Sequence, residues 1–521
     1  MNFNLSNTLA DWLTERTIPF KYLPGPPPCL WVSVNDWASV ANLAKQEGLR
    51  LVAEWASQQN ESFFIHSSYA LPKQGYALVF ARLDSGNESF PSLAPHYIAA
   101  VRMERAIHDL YQIVPEGHPD LRPWIKGESW PEQASPLRKD FSLKTIWAKQ
   151  TGSYPFTGMK ESVGHEIPVG PIHAGIIEPG HFRFCAVGET ILTLEERLGY
   201  VHKGIEKHME SRDVDSAARL AGKISGDATV AHTWAFCMAA EQASETKVPL
   251  RADYIRAILC ERERMANHIG DIGAMCNDVA WSFMQMQCQR LREDLARLHG
   301  NLFGHRLLMD CLVPGGVACD LDDEKKKLIR EQTHAIGKEM SELFQIYEDH
   351  ISTRERVIGS GSLATRDAQD LGVVGFIGRS CEQNLDARCD AAYSPYDRHL
   401  PHIKVCRGGD VSARLWIRFE EIQVSVGLIT TLLEELPSGQ ILENLRTPAD
   451  GRWGFAAVES WRGEIVTWLR FGPEGQINRC YVRDPSMVNW LGLELVVRDI
   501  PVPDFPLNNK SFNCSYSGHD L

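Results

Sequence analysis

The sequence predicts an α+β protein: a small N-terminal α+β domain, then a mainly α-helical bundle domain ending in a β-rich segment. Three observations carry this reading. Apolar residues alternate with period two at 29–34 (Cys-Leu-Trp-Val-Ser-Val) and 75–81 (Gly-Tyr-Ala-Leu-Val-Phe-Ala), as half-buried strands require. From about residue 152 to 446 the apolar spacing becomes three and four, the period of helices that each bury one stripe. Over 453–498 the strand period returns. The change of composition near residue 150 divides the chain into domains at 1–148 and 149–521, with a helical core at about 190–446 and a β-rich part at about 450–500.

Within the first domain a helix is expected at 36–47, with Asn35 or Asp36 as N-cap and Gly48 as stop signal. A Pro-rich polar arm follows from 115 to 136. The second domain carries helical spacing at 194–211, 229–245, 253–277, 290–311, 322–353 and 412–436. Strands are expected at 455–460, 464–471 and 477–483, with Gly-Pro-Glu-Gly at 472–475 as a turn. Internal repeats and low-complexity tracts are absent from the sequence.

Composition narrows the function. Of 521 residues, 44% are hydrophobic and 23% charged, which excludes a disordered or fibrous chain. Sixty-seven acidic against 54 basic residues leave a net charge of −13, which argues against a duplex nucleic-acid partner because counterion displacement needs a basic face. No apolar run approaches the ~20 residues of a spanning helix. The first residues lack a basic stretch followed by an apolar core, so no secretory leader is expected and the chain is read as soluble and cytoplasmic. The 13 cysteines never fall closer than eight residues apart, so no Cys-x-x-Cys pair exists to hold zinc, nickel or an iron–sulfur cluster. They read as buried small hydrophobes in a reducing compartment.

Two groups of motifs carry a family resemblance. Glu104-Arg-Ala-Ile-His-Asp-Leu-Tyr111, Glu116-Gly-His-Pro-Asp-Leu-Arg122 and Pro136-Leu-Arg-Lys-Asp-Phe141 resemble the small hydrophilic subunit of respiratory complex I. From about 165 onward the chain resembles the quinone-proximal large subunit and the large subunits of membrane-bound nickel–iron hydrogenases. The segments are Gly170-Pro-Ile-His-Ala-Gly175, Arg197-Leu-Gly-Tyr-Val-His-Lys-Gly-Ile-Glu-Lys207, Tyr254-Ile-Arg with Glu261, Arg264 and Asn267-His268, Pro314-Gly-Gly316, Ser394-Pro-Tyr-Asp397, and Gly409-Asp410 leading to Glu420-Glu-Ile422. The fused arrangement is similar to the large subunit of formate-hydrogenlyase-type hydrogenases.

The departures redirect the chemistry. Where those hydrogenases read Arg-x-Cys-Gly-x-Cys, this chain reads Lys223-Ile-Ser-Gly-Asp-Ala228; where they read Asp-Pro-Cys-x-x-Cys, it reads Asp484-Pro-Ser-Met-Val-Asn489. Ser225, Ala228, Ser486 and Asn489 thus replace four soft thiolates, and hydroxyl or amide groups are poor substitutes around nickel. The resemblance to complex I implies a quinone-binding His at His173, but Gly226 stands where a tyrosine would meet the quinone.

Candidate site residues follow. His173, on a turn-rich loop, is read as a donor or proton carrier, because histidine titrates near neutral pH; the bland alternative is a loop histidine satisfied by carbonyls. His202 is placed on an apolar helical stripe with Leu194, Leu198, Val201 and Ile205; the resemblance makes His202 and Lys203 tuners of a neighbouring subunit's cluster. Ser225, Ser486 and Asn489 line the vacated metal position, and Asp227 and Asp484 supply carboxylates there, with Arg414 as the expected nearby cation and a raised carboxyl pKa in its absence. Arg256, Glu261, Arg264 and His268 fit either a solvated face or a subunit interface; Arg414 and Arg418 are read as an ion-pair network. Helix 253–277 is expected to present a semi-apolar face to a partner.

The function this implies is a subunit of a membrane-bound oxidoreductase related to complex I and hydrogenases, NADH:quinone-oxidoreductase-like, on the cytoplasmic side of the inner membrane. The chain binds no metal or cluster itself, docks a small iron–sulfur subunit beside membrane-arm subunits of an antiporter-like module, and forms a cavity for a quinone or another acceptor. The alternative is a scaffold or coupling subunit whose redox site has decayed.

Overall fold

A computed structural model describes residues 5–23, 27–71, 73, 75–84, 86–144, 152–158, 164–173 and 177–521. The expected boundary at 148/149 and the residues Ala174 and Gly175 of the His173 loop lie outside the described residues.

The N-terminal part is built on a five-stranded sheet: β1 (Phe20–Leu23), β2 (Cys29–Ser33), β3 (Arg50–Gln59), β4 (Ser62–Leu71) and β5 (Gly75–Arg82), in the order β1-β2-β5-β4-β3. Only β2 and β5 run parallel within this sheet; the other neighbours are antiparallel, and the helix Trp37–Gln46 carries the chain from β2 across to the edge strand β3. That helix is entered differently from the sequence expectation: the Ser33 hydroxyl accepts from the Asn35 N–H at 3.2 Å and opens a 3₁₀ turn, and the Asp36 side chain makes no cap. Gly48, at φ +79°, follows its end as expected.

The other face of the sheet meets the C-terminal three-stranded sheet, whose strands are Trp453–Ser460, Gly463–Phe471 and Ile477–Arg483. Trp55 stacks on Tyr481 at 5.0 Å and tilts against Trp468 at 5.6 Å, so aromatic side chains from both sheets form one shared core. Burying that surface fixes the N-terminal part against the remainder of the chain.

The helical core lies between the two sheets in the chain and packs on the C-terminal sheet through the helix Thr229–Ala243. Leu250–Asp278 is its centre, packed by Ser282–Phe303 and Val411–Glu434, with Asp323–Asp349 outside. Most of Leu250–Asp278 is buried within its own chain, which corrects the expectation of a face kept for a partner. The expected helix 290–311 stops at Phe303, where Gly304 takes φ +82°, and 322–353 breaks at His350, whose side chain caps a second short helix, Ile351–Val357. The clearest correction is at 194–211. Thr190–Arg197 is a strand, antiparallel to His181–Val187, which pairs in turn with His165–Val169. Gly199 and Gly204, at φ +93° and +65°, then turn the chain into the five-residue helix Ile205–Met209.

Two glutamates lie buried under the N-terminal sheet. Glu104 takes the Ser92 hydroxyl and the Leu93 N–H at 2.5 Å, whereas the Glu54 carboxyl faces the Trp37 indole and the Glu104 carboxyl. Burial and the Glu104 charge push the Glu54 carboxyl well above the usual glutamate range. A raised folded pKa gives stability that is full at low pH and lost as pH climbs through it. Glu54→Gln is therefore expected to flatten the fall of the melting temperature on going from acid to neutral pH; an unchanged pH profile would contradict this.

Candidate functional site

A cavity of about 470 Å³ opens where the His173 loop, the segment after Lys223, the hairpin turn at Arg462 and the C-terminal segment meet. The 3₁₀ turn Gly226–Ala228, at the head of helix Thr229–Ala243, sets Ser225 and Asp227 in its wall. Asp227 receives the Ser225 hydroxyl at 2.6 Å and a two-pronged Arg462 guanidinium at 2.7 and 2.6 Å. Burial works to raise this carboxyl, but Arg462 and Ser225 outweigh it and hold Asp227 below the usual aspartate range.

Asp484 stands one layer deeper. Its Oδ2 pairs with His232 Nε2 at 2.9 Å and its Oδ1 accepts the Ser486 N–H at 2.8 Å. Against the opposing effect of burial, His232 and Arg462 hold it at about 2. The expectation of raised carboxyls here is corrected: both are held low, because Arg462, absent from the sequence reading, acts on both and His232 hydrogen-bonds Asp484. Arg414 is not that cation. It is fully buried, donates to the Ser511 hydroxyl and the Gly409 and Gly361 carbonyls, and lies over Phe512; burial lowers it to about 10. Arg418 does form an ion pair, with Asp271 at 3.2 Å.

His173 reaches the cavity wall with Nε2 donating to the Gly180 carbonyl at 2.7 Å. Gly170 permits this close approach: at φ +86°, a Cβ there would stand 2.2 Å from the Gly180 oxygen and 2.8 Å from the His173 ring. Ser486 lies behind, its hydroxyl accepting the Ser515 N–H at 2.8 Å, and the Ser515 and Ser225 hydroxyls are 3.0 Å apart. Asn489 is turned away and accepts the Val374 N–H. His202 lies in the turn before Ile205–Met209, bonded to the Asp520 carbonyl at 2.7 Å, and burial lowers its pKa. Lys203 donates to the Lys223 and Ile224 carbonyls at 2.9 and 2.7 Å, bracing the segment that leads to Ser225. The fold therefore gathers His173, Ser225 and Asp227 in one wall, with Asp484 and Ser486 behind it, and leaves Asn489, His202, Lys203 and Arg414 outside.

Sequence reasoning missed Arg462, Glu178 and Tyr516, all lining the cavity. Tyr516 is buried against Trp490 at 5.0 Å, its hydroxyl facing Asn509. Its ring lines the cavity from the far end of the chain, while its hydroxyl is buried. Arg256, Glu261, Arg264 and His268 are neither solvated nor at an outer surface; each is at most 1% exposed inside the helical core.

The residues present do not fit a nickel–iron centre. Ser225, Ser486 and Asn489 offer oxygen or amide atoms already engaged within the chain, Ala228 offers none, and the Arg462 guanidinium faces the same space. Among the described residues no group of three or more His, Cys, Asp or Glu side chains is placed to hold a metal ion. The cysteines are free thiols, ten of the 13 buried.

Comparison with known proteins gives three family matches in chain order. The respiratory-chain NADH dehydrogenase 30 Kd subunit family matches residues 30–146, the nickel-dependent hydrogenase family 203–270, and the respiratory-chain NADH dehydrogenase 49 Kd subunit family 271–452. Hydrogenase-4 component G of Escherichia coli (strain K12) is 32% identical, the alignment covering 87% of this chain and 80% of that protein. Formate hydrogenlyase subunit 5 of the same organism is 28% identical over 98% of this chain and 89% of that protein. Among solved structures, a chain of the archaeal membrane-bound sulfane sulfur reductase, a respiratory membrane complex, superposes with a TM-score of 0.65 at 23% identity, covering 70% of this chain and all of that one.

Proposed function

This chain belongs to the family of complex-I-related hydrogenase large subunits that includes Hydrogenase-4 component G, and on that basis we propose that it is the acceptor-side subunit of a membrane-associated oxidoreductase complex working without nickel. It docks a small iron–sulfur subunit and, with it, encloses the cavity at His173 and Asp227. Membrane-arm subunits of an antiporter-like module hold the assembly on the cytoplasmic side of the inner membrane. No helix among the described residues is long and apolar enough to cross a membrane.

The observation that carries the reading is the cavity itself. It is open and holds a fixed carboxylate–guanidinium pair, a histidine and a tyrosine, while Ile177 and Leu307 give its wall an apolar part. An apolar, carbonyl-bearing acceptor such as a quinone fits this mixture of apolar contact and hydrogen-bonding groups. Its reduction takes two electrons, entering from the small subunit, and two protons. His173 delivers one of these protons and solvent entering the open cavity the other, while the Asp227–Arg462 pair orients the acceptor. The complex purified with its native partners, reduced by a viologen dye, is expected to reduce decylubiquinone. A complex that assembles but reduces neither decylubiquinone nor any other small acceptor supports the scaffold reading instead.

A further inference from the structure

Behind the cavity, six buried charges close into a ring. Glu261 meets Arg264 at 3.2 Å, Arg264 meets Glu421 at 3.4 Å, and Glu421 meets Arg379 at 2.7 Å. Arg379 meets Asp386 at 3.2 Å, Asp386 meets Arg388 at 2.7 Å, and Arg388 returns to Glu261 at 2.9 Å. None is more than 4% exposed. Carboxylates and guanidiniums alternate, so the ring is neutral by itself.

Two more ionisable side chains hang on it. Glu459 accepts Arg379 at 2.9 Å and the Ala387 N–H at 3.1 Å, and His268 Nε2 meets Glu421 at 2.8 Å. Both are at most 1% exposed. An ionised Glu459 beside a neutral His268 leaves one uncompensated negative charge in a dry interior, a costly state. One added proton restores neutrality, whether as a Glu459 carboxylic acid or as a His268 imidazolium.

We propose that this cluster is a proton-binding site, holding one proton shared between Glu459 and His268 across Arg379 and Glu421. The nearby charges do not complete the count otherwise. Arg418, from the same helix as Glu421, is taken by Asp271, and Glu263 accepts the Val230 and Ala231 N–H groups at the start of a neighbouring helix. Of the phenols, Tyr396 donates to Glu261 and Tyr393 accepts the Glu459 N–H; Cys260 is a buried thiol pushed well up. Burial and the Asp386 charge bring Glu459 up to about 7, while burial lowers His268 against the pull of Glu421.

The placement gives the site its use. The His268 ring meets Trp461 edge-on at 5.9 Å, and the Trp461 indole N–H donates to the Asp227 carbonyl at 2.8 Å, on the cavity wall. On the far side the Asp386 N–H donates to the Asp390 carboxylate, which lines a second cleft of about 640 Å³ with Arg50, Tyr76 and Glu464. A proton stored here lies between two openings and feels the charge of the first.

The site does not depend on which acceptor the cavity takes, and it is tested on the full chain. Infrared difference spectra and ¹⁵N-histidine NMR are recorded from about pH 6 to about pH 8, across the range where histidine titrates. The expected result at the acid end is one proton in the cluster, seen as a protonated-carboxyl band lost in Glu459→Gln or as a His268 imidazolium signal, and released as pH rises. In His268→Gln the carboxyl band is expected to carry the whole proton. An ionised Glu459 beside a neutral His268 at the acid end overturns the proposal: the carboxyl band that survives in Glu54→Gln must be lost in Glu459→Gln, and Glu459→Asp, which keeps a carboxyl and shifts its band, makes the assignment where Glu459→Gln does not fold.

Discussion

Glu421→Gln is expected to cost the folded chain about 3–5 kcal/mol, the penalty for stranding buried charge when one partner of a buried pair is removed. Glu421 is 4% exposed and is met by Arg379 at 2.7 Å, His268 at 2.8 Å and Arg264 at 3.4 Å. A Gln keeps the shape and loses the charge, so Arg379 and Arg264 each lose a buried carboxylate partner with no water to replace it, even where Glu459 ionises to restore the net charge. Because domains are stable by only about 5–15 kcal/mol, the loss should show as a large fall in the urea midpoint and in soluble yield. A midpoint equal to that of the wild type would mean that the ring carries little of the stability.

The second large effect concerns turnover. His173→Ala and Asp227→Asn are each expected to slow decylubiquinone reduction by the assembled complex about 100-fold, the scale of a lost proton-transfer or orienting group. His173 is half-buried, hydrogen-bonded to the Gly180 carbonyl and tilted against Phe182, at the cavity edge rather than in the core, so its loss should leave assembly intact. Asp227→Asn leaves Arg462 without its carboxylate; the double variant Asp227→Asn/Arg462→Gln removes that stranded charge. Assembly of the double variant with slow turnover is the predicted pattern. Full turnover in it would remove the pair from the mechanism.

Local pattern was legible where local forces decide the structure. The helices from 229 and 253 and the last three strands lie where apolar period and Gly-Pro turns place them, since each buries a continuous stripe or face. The reading failed at 194–211 because Leu194, Leu198, Val201 and Ile205 fall by coincidence at helical spacing, whereas pairing with His181–Val187 and the positive φ of Gly199 and Gly204 fix a strand and turns. The site was legible only in part. His173, Ser225 and Asp227 were found through motif positions, but Arg462 comes from a hairpin turn and His232 from the buried face of a helix, neither marked by any local pattern. Charge poses the same difficulty at Glu261 and Arg264: an i, i+3 pair looks like a surface pair, and its burial depends on partners more than 100 residues away, Arg388 and Glu421.

The central claim is that this family member presents a nickel-free acceptor cavity, built on Ser225, Asp227 and Arg462 in place of thiolates. Its most direct test is the metal content of the complex purified with its native partners. The account predicts nickel far below one atom per chain, with iron present only in proportion to partner subunits carrying cysteine-ligated clusters. About one nickel per chain would contradict it.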